Sequence, residues 1–156
     1  LFGPSTIGGV INFVTRKAPR TPTFSNKVIA GNNGFVSNFT QYGGTWGKTS
    51  VDVSFLHKQG DGYRDYNSFN ANDFYLKLAH EINEKHTITL KLGYNEQKSR
   101  ASYHGLTQGL FWKNYKINPA EFDVKALDRS SVVLGHEYQL NERSRIVTKM
   151  YGTGAR

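Results

Sequence analysis

Apolar and polar residues alternate along most of this chain. Between 73 and 82, Phe74, Leu76, Leu78 and Ile82 are apolar, while Asp73, Tyr75, Lys77, Ala79 and Glu81 fall on the other parity. The same period of two carries Ile88, Leu90, Leu92 and Tyr94, then Val51, Val53 and Phe55, then Val132, Leu134, Tyr138 and Leu140. Successive side chains of a strand point to opposite faces, so each segment has one apolar and one polar face. Helical periods are weak. The pattern predicts strands over 23–31, 35–45, 50–59, 73–82, 87–97, 130–140 and 145–153. At about ten residues each, they exceed the 5–6 of a typical soluble strand and match the 9–11 of a tilted membrane-spanning one.

The predicted connections, 32–34, 46–49, 60–72, 83–86, 98–129 and 141–144, carry a second signal. From the second onward, short turns alternate with long loops. In an up-and-down meander, alternate connections share one end of the sheet, so one end has tight turns and the other has large loops. Outer-membrane barrels sort their connections this way, and a soluble sandwich has no reason to. Two of the short turns echo each other: an apolar residue, then Asn83-Glu84-Lys85 in one and Asn141-Glu142-Arg143 in the other. Asn suits such turns because its side chain bonds nearby backbone and tolerates left-handed geometry. Trp46-Gly47-Lys48-Thr49 falls at the same end.

Composition narrows the class. The 156 residues include 37% hydrophobic and 13% aromatic residues and 16 glycines, too ordered a mixture for a disordered chain. No stretch approaches the roughly 20 apolar residues of a membrane helix, which excludes a helical membrane protein. The absence of Cys excludes a disulfide scaffold, a thiolate metal site and a Cys nucleophile. Twenty Lys and Arg against 12 Asp and Glu give a net charge of +8, but the cations are scattered along the chain. The sequence opens at Leu1-Phe2-Gly3-Pro4 with neither an initiator Met nor a signal peptide, which leads us to expect a piece of a longer protein.

Residues 1–20 differ from the rest. A glycine-rich stretch, Gly3 to Gly9, leads into Val10-Ile11-Asn12-Phe13-Val14-Thr15, apolar on both parities and so expected as a strand buried on both faces. Two prolines and three cations follow, in Arg16-Lys17-Ala18-Pro19-Arg20-Thr21-Pro22. The glycines lack the Gly-Lys-Ser/Thr of a phosphate loop, and the order is loop then strand. Residues 2–19, Phe2-Gly3-Pro4-Ser5-Thr6-Ile7-Gly8-Gly9-Val10-Ile11-Asn12-Phe13-Val14-Thr15-Arg16-Lys17-Ala18-Pro19, closely resemble the C-terminal end of the plug domain of TonB-dependent outer-membrane receptors. Gly105-Leu106-Thr107 and the stretch from Asp123 to Arg129 are similar to the ferric-citrate branch of that family.

The resemblance implies a transmembrane barrel of about 22 antiparallel strands closed around a plug. It would import a ferric chelate, ferric citrate or a siderophore, with energy from the inner-membrane TonB complex. On that basis residues 1–20 are the end of the plug and its linker, and 21–156 are the first part of the barrel, about seven strands. The contact region for the TonB complex, and most of the plug, would lie outside these residues. Bacterial outer-membrane lipid and lipopolysaccharide are the expected surroundings.

No catalytic set emerges, and an enzyme is not expected. His57, His80, His86, His104 and His136 show no metal-ligand spacing, and no cofactor motif is present. Asp61 with Asp65, and Glu121 with Asp123, are best read as solvated loop carboxylates. The long loops interleave aromatic and cationic residues, which suits capture of an anionic chelate: cations bond carboxylates while rings cover organic faces. The candidate ligand-binding residues are Arg64, Tyr66, Arg100, Tyr103, His104, Trp112 and Lys113. The 98–129 segment has six cations and three acids, a net of +3. The competing account is that these rings pack the loops together while the cations face lipopolysaccharide phosphates. Two other classes share some of the pattern. A passive porin has similar strands but no plug-like segment. A soluble basic β-protein binding glycan or nucleic acid needs neither ten-residue strands nor one-sided loops, and a membrane location argues against nucleic acid as a partner.

Overall fold

A computed structural model of the chain describes residues 15–100 and 104–156. They form β1 (Thr23–Ala30), β2 (Val36–Trp46), β3 (Thr49–Gly60), β4 (Phe69–Glu81), β5 (His86–Ser99), α1 (Gln108–Lys113), β6 (Lys125–Asn141) and β7 (Ser144–Ala155). The seven strands make one antiparallel sheet in chain order, with β1 and β7 at its edges. Val10 to Val14, expected as a doubly buried strand, lie outside the described residues. Thr15 and the residues up to Pro22 are not in a strand.

The short-turn end forms as its sequence dictates. Asn83 Oδ1 accepts from the backbone N–H groups of Lys85 and His86 at 2.9 and 3.0 Å, and Asn141 Oδ1 accepts from that of Arg143 at 3.0 Å. Gly47 turns β2 into β3 with φ +57°, a conformation open to Gly at no steric cost. At Gln139 to Asn141 the β6–β7 register shifts, so Leu140 falls out of the alternation.

Register then sorts the side chains. Val53, Leu76, Leu92 and Val132 stand opposite one another in a row, and so do Val51, Leu78, Leu90 and Leu134 through their neighbours. By alternation Asp52, Lys77, Lys91, Thr89 and Lys149 belong to the other face. A cavity of about 650 Å³ lies on that polar face and is lined from β2 to β7, so the sheet is concave there and its leucine face is convex. Among the described residues no apolar side chain is buried, and Phe55, Phe74, Ile88, Val132 and Leu134 are openly exposed. Covering a side chain of this size is worth about 1.5–3 kcal/mol. The convex face therefore has no core of its own to stabilise it.

Two rims bound that face. Toward the short turns lie Trp46, tilted against Tyr42 at 6.3 Å, and His86, which stacks on Tyr138 at 4.5 Å and shares a 3.0 Å hydrogen bond with His136. Toward the loops, Phe55, Phe74 and Tyr94 are direct cross-strand neighbours.

Beyond the Phe55–Phe74–Tyr94 row the structure departs from the expected boundaries. β4 begins at Phe69 rather than 73, β5 runs to Ser99, and β6 begins at Lys125 rather than 130. Backbone pairing continues there, but the outward residues become polar, in the row His57, Asn72, Glu96 and Asp128. With the outward face polar, the apolar-outward alternation vanishes while the strand persists. Lys98, Lys125 and Arg129 are thus strand residues. The loops shrink to 61–68 and 100–124, and the second holds three cations and two acids, a net of +1. The helix in this loop had no signal in the periodicity.

Candidate functional site

The loop end is assembled by contacts between its three connections. Asp61 N–H donates to Asn33 O at 2.8 Å, joining loop 61–68 to the β1–β2 turn, and Asp65 N–H donates to Lys116 O at 2.8 Å, joining it to loop 100–124. Asn118, 7% exposed, clamps the two long loops: its Nδ2 donates to Tyr66 O at 3.1 Å while its Oδ1 accepts from Ala120 N–H at 3.0 Å. The clamp holds Tyr66 at φ +52°, a left-handed conformation rare for a residue with a side chain.

α1 forms because its ends are satisfied. Thr107 Oγ1 accepts from Leu110 N–H, Asn114 N–H returns to Leu110 O at 2.9 Å, and Lys113 sits in the last turn where the helix dipole favours a cation. The helix presents Phe111 toward Tyr115 at 6.4 Å, and Tyr115 stacks on Tyr63 at 6.0 Å with a 24° angle between rings. Tyr63, Arg64, Leu106, Phe111 and Tyr115 line a recess of about 560 Å³. Arg64 Nη1 donates to His104 O at 3.1 Å, which fixes the guanidinium at the recess wall. A guanidinium has five N–H donors, and this bond uses one of them. Three rings and one cation suit a planar organic anion: carboxylates bond the guanidinium and apolar faces lie on the rings.

The structure brings only some of the candidate residues together. Arg64 lines the recess and bonds the backbone carbonyl of His104, which is not among the lining residues. Tyr66 contributes its carbonyl to the clamp, and its ring is exposed. Arg100 lines a separate pocket of about 220 Å³ with Gln59, Ser68, Phe69 and Lys98, where its N–H donates to Ser68 O at 2.9 Å. Trp112, 75% exposed, packs edge-on against Phe111 and lines neither pocket, and neither does Lys113. Tyr103 lies outside the described residues. Selecting residues by type and loop membership singled out Trp112 and Lys113, whereas Tyr63, Phe111 and Tyr115 face the recess. Asn118 was also missed, although Asn118-Pro119 is a turn signal at this position. Among the described residues no group of three metal-ligating side chains gathers.

Compared with protein-family models and with curated proteins, the chain matches none.

Proposed function

We propose that this chain is part of a TonB-dependent receptor of the bacterial outer membrane, which takes up a ferric chelate such as ferric citrate. The observation that carries the reading is the convex apolar face, rimmed by aromatics, on a meander whose connections alternate from β2 onward, tight turns at one end and the long loops 61–68 and 100–124 at the other. Lipid covers that face, and closure with further strands removes the two open edges. Residues 15–20 supply a second support, because they run across the concave face. Lys77 Nζ donates to Arg16 O at 3.0 Å, and Thr45 Oγ1 donates to Pro19 O at 2.9 Å. A segment crossing the lumen wall is expected where a plug leads into a barrel and has no role in an open passive channel. The aromatic recess beside Arg64 is the part of this chain that meets the chelate, and its iron is cargo.

Uptake of iron-55 citrate by cells making the full-length protein tests the reading. Uptake should stop when the TonB complex is deleted, and Arg64→Glu should weaken binding to the purified receptor. Passive solute flux that survives the deletion would identify a porin instead.

A further inference from the structure

Two histidines meet at the short-turn rim. His86 opens β5 opposite Tyr138, and His136 lies on β6 opposite Ile88, so both rings are on the outward face, one step apart along the ladder. His86 Nδ1 and His136 Nε2 are 3.0 Å apart, and the two ring planes differ by only 6°. In a neutral pair one of these nitrogens carries the shared proton and the other accepts it. The partners are fixed from outside the pair. Asn83 Oδ1 accepts from His86 N–H at 3.0 Å, Ile82 N–H donates to His86 O at 2.9 Å, and Tyr138 stacks on the His86 ring at 4.5 Å. His136 sits on a strand paired on both sides, with its side chain exposed.

We propose that His86 and His136 form a copper(II) site that joins β5 to β6. The spacing selects the metal. Two imidazole nitrogens, each about 2.0–2.1 Å from one ion, lie ~2.8–3.0 Å apart at the right angle of a tetragonal complex and ~3.3–3.4 Å apart at a tetrahedral angle. The 3.0 Å of this pair fits the first, which is the geometry of Cu(II) or Ni(II) and not of Zn(II). Between those two, affinity for nitrogen ligands is higher for copper. Binding needs no redox partner. The shared proton moves to the outer nitrogen of its own ring, both facing nitrogens then offer lone pairs to the ion, and water fills the remaining positions. His80 does not join, because its Nδ1 is bonded to Thr49 Oγ1 at 2.8 Å and Ile88 stands between it and His136. The ion would tie together the two strands whose connection, 100–124, is the longest among the described residues.

Copper(II) titrated into purified full-length protein in detergent tests this, read by electron paramagnetic resonance and by the thermal unfolding midpoint. The bound ion should give a tetragonal spectrum split by two nitrogens, and it should raise the midpoint, as a ligand of the folded state alone does. His136→Gln removes one ligand outright and should weaken copper binding by more than the about 10–100-fold that follows loss of a supporting partner. His80→Gln should leave binding unchanged, and zinc(II) should bind more weakly than copper(II). A spectrum with fewer than two nitrogens overturns the proposal, as does copper binding indifferent to His136→Gln, or lost equally in His80→Gln. Zinc binding as tight as copper binding also overturns it. His86→Gln serves as the same probe if His136→Gln does not fold. Iron uptake by cells is measured separately, so the receptor reading and this one can fail independently.

Discussion

The lower and upper halves of the central strands share one backbone ladder and differ in everything else. On β5 the outward face reads Ile88, Leu90, Leu92, Tyr94 and then Glu96, Lys98; on β4 it reads Leu78, Leu76, Phe74 and then Asn72, Asn70. The switch falls at the same level on both strands. Below it, each residue's environment depends on its parity. Above it, the outward face is polar, and outward groups pair with one another, as His57 Nδ1 does with Asn72 Oδ1 at 2.7 Å and Asn26 Nδ2 with Asn38 Oδ1 at 2.7 Å. Strand pairing alone therefore does not mark where the apolar face ends. The side-chain row does.

The largest effect expected from this contrast is at Leu90. In the full-length protein in outer-membrane-type bilayers, Leu90→Arg should cost about 2–4 kcal/mol, and Glu96→Arg, on the same face of the same strand but above the switch, about 0–1 kcal/mol. Thr89→Arg, one residue from Leu90 on the concave face, should also be mild. Urea unfolding in bilayers measures all three, and equal costs for Leu90 and Glu96 would break the distinction between the halves.

A smaller effect is expected above the switch, where loop contacts rather than surroundings supply the order. Asn118→Ala removes the clamp on Tyr66 O and should cost about 1–3 kcal/mol, because a polar group is left unsatisfied in a closed site. Hydrogen exchange should show faster opening confined to 61–68 and 115–121. Global loss of protection would show that the upper half is not independent of the lower.

Smallest is the turn end. Asn83→Ala loses two exposed hydrogen bonds to Lys85 and His86 and should cost about 0.5–1.5 kcal/mol, with Asn141→Ala no larger. Comparing their unfolding midpoints with that of Asn118→Ala sharpens the contrast. A turn variant as costly as the clamp variant would mean that local turn chemistry governs the whole sheet.

The same contrast explains what the sequence revealed. The leucine rows and the Asn turns are local signals, a two-residue period in one case and a side chain bonding its own turn in the other, and both were legible residue by residue. Lys98, Lys125 and Arg129 were assigned to a loop because the alternation stops before the pairing does. The recess escaped detection for a different reason. Tyr63 and Tyr115 are brought together by Asp65, Lys116 and Asn118, and no short window of sequence contains both sides of that contact. Residue type named Trp112, which lines neither loop pocket, and not Tyr115, which lines the recess.

The unbroken order from β1 to β7 has a kinetic consequence. Each strand pairs only with its neighbours in the chain, so the sheet grows as a series of hairpins with low contact order. Those closed by the Gly47, Asn83 and Asn141 turns need the shortest closures and form first. The β5–β6 pair must bring its ends together across loop 100–124, and every doubling of loop length adds about 0.6 kcal/mol of closure entropy. Growth of the sheet should pause there, with β1–β5 and the β6–β7 hairpin each formed but not yet paired with each other. During that pause β5 presents an unpaired edge carrying Leu90 and Leu92, which in the membrane setting proposed above a folding partner would need to shield.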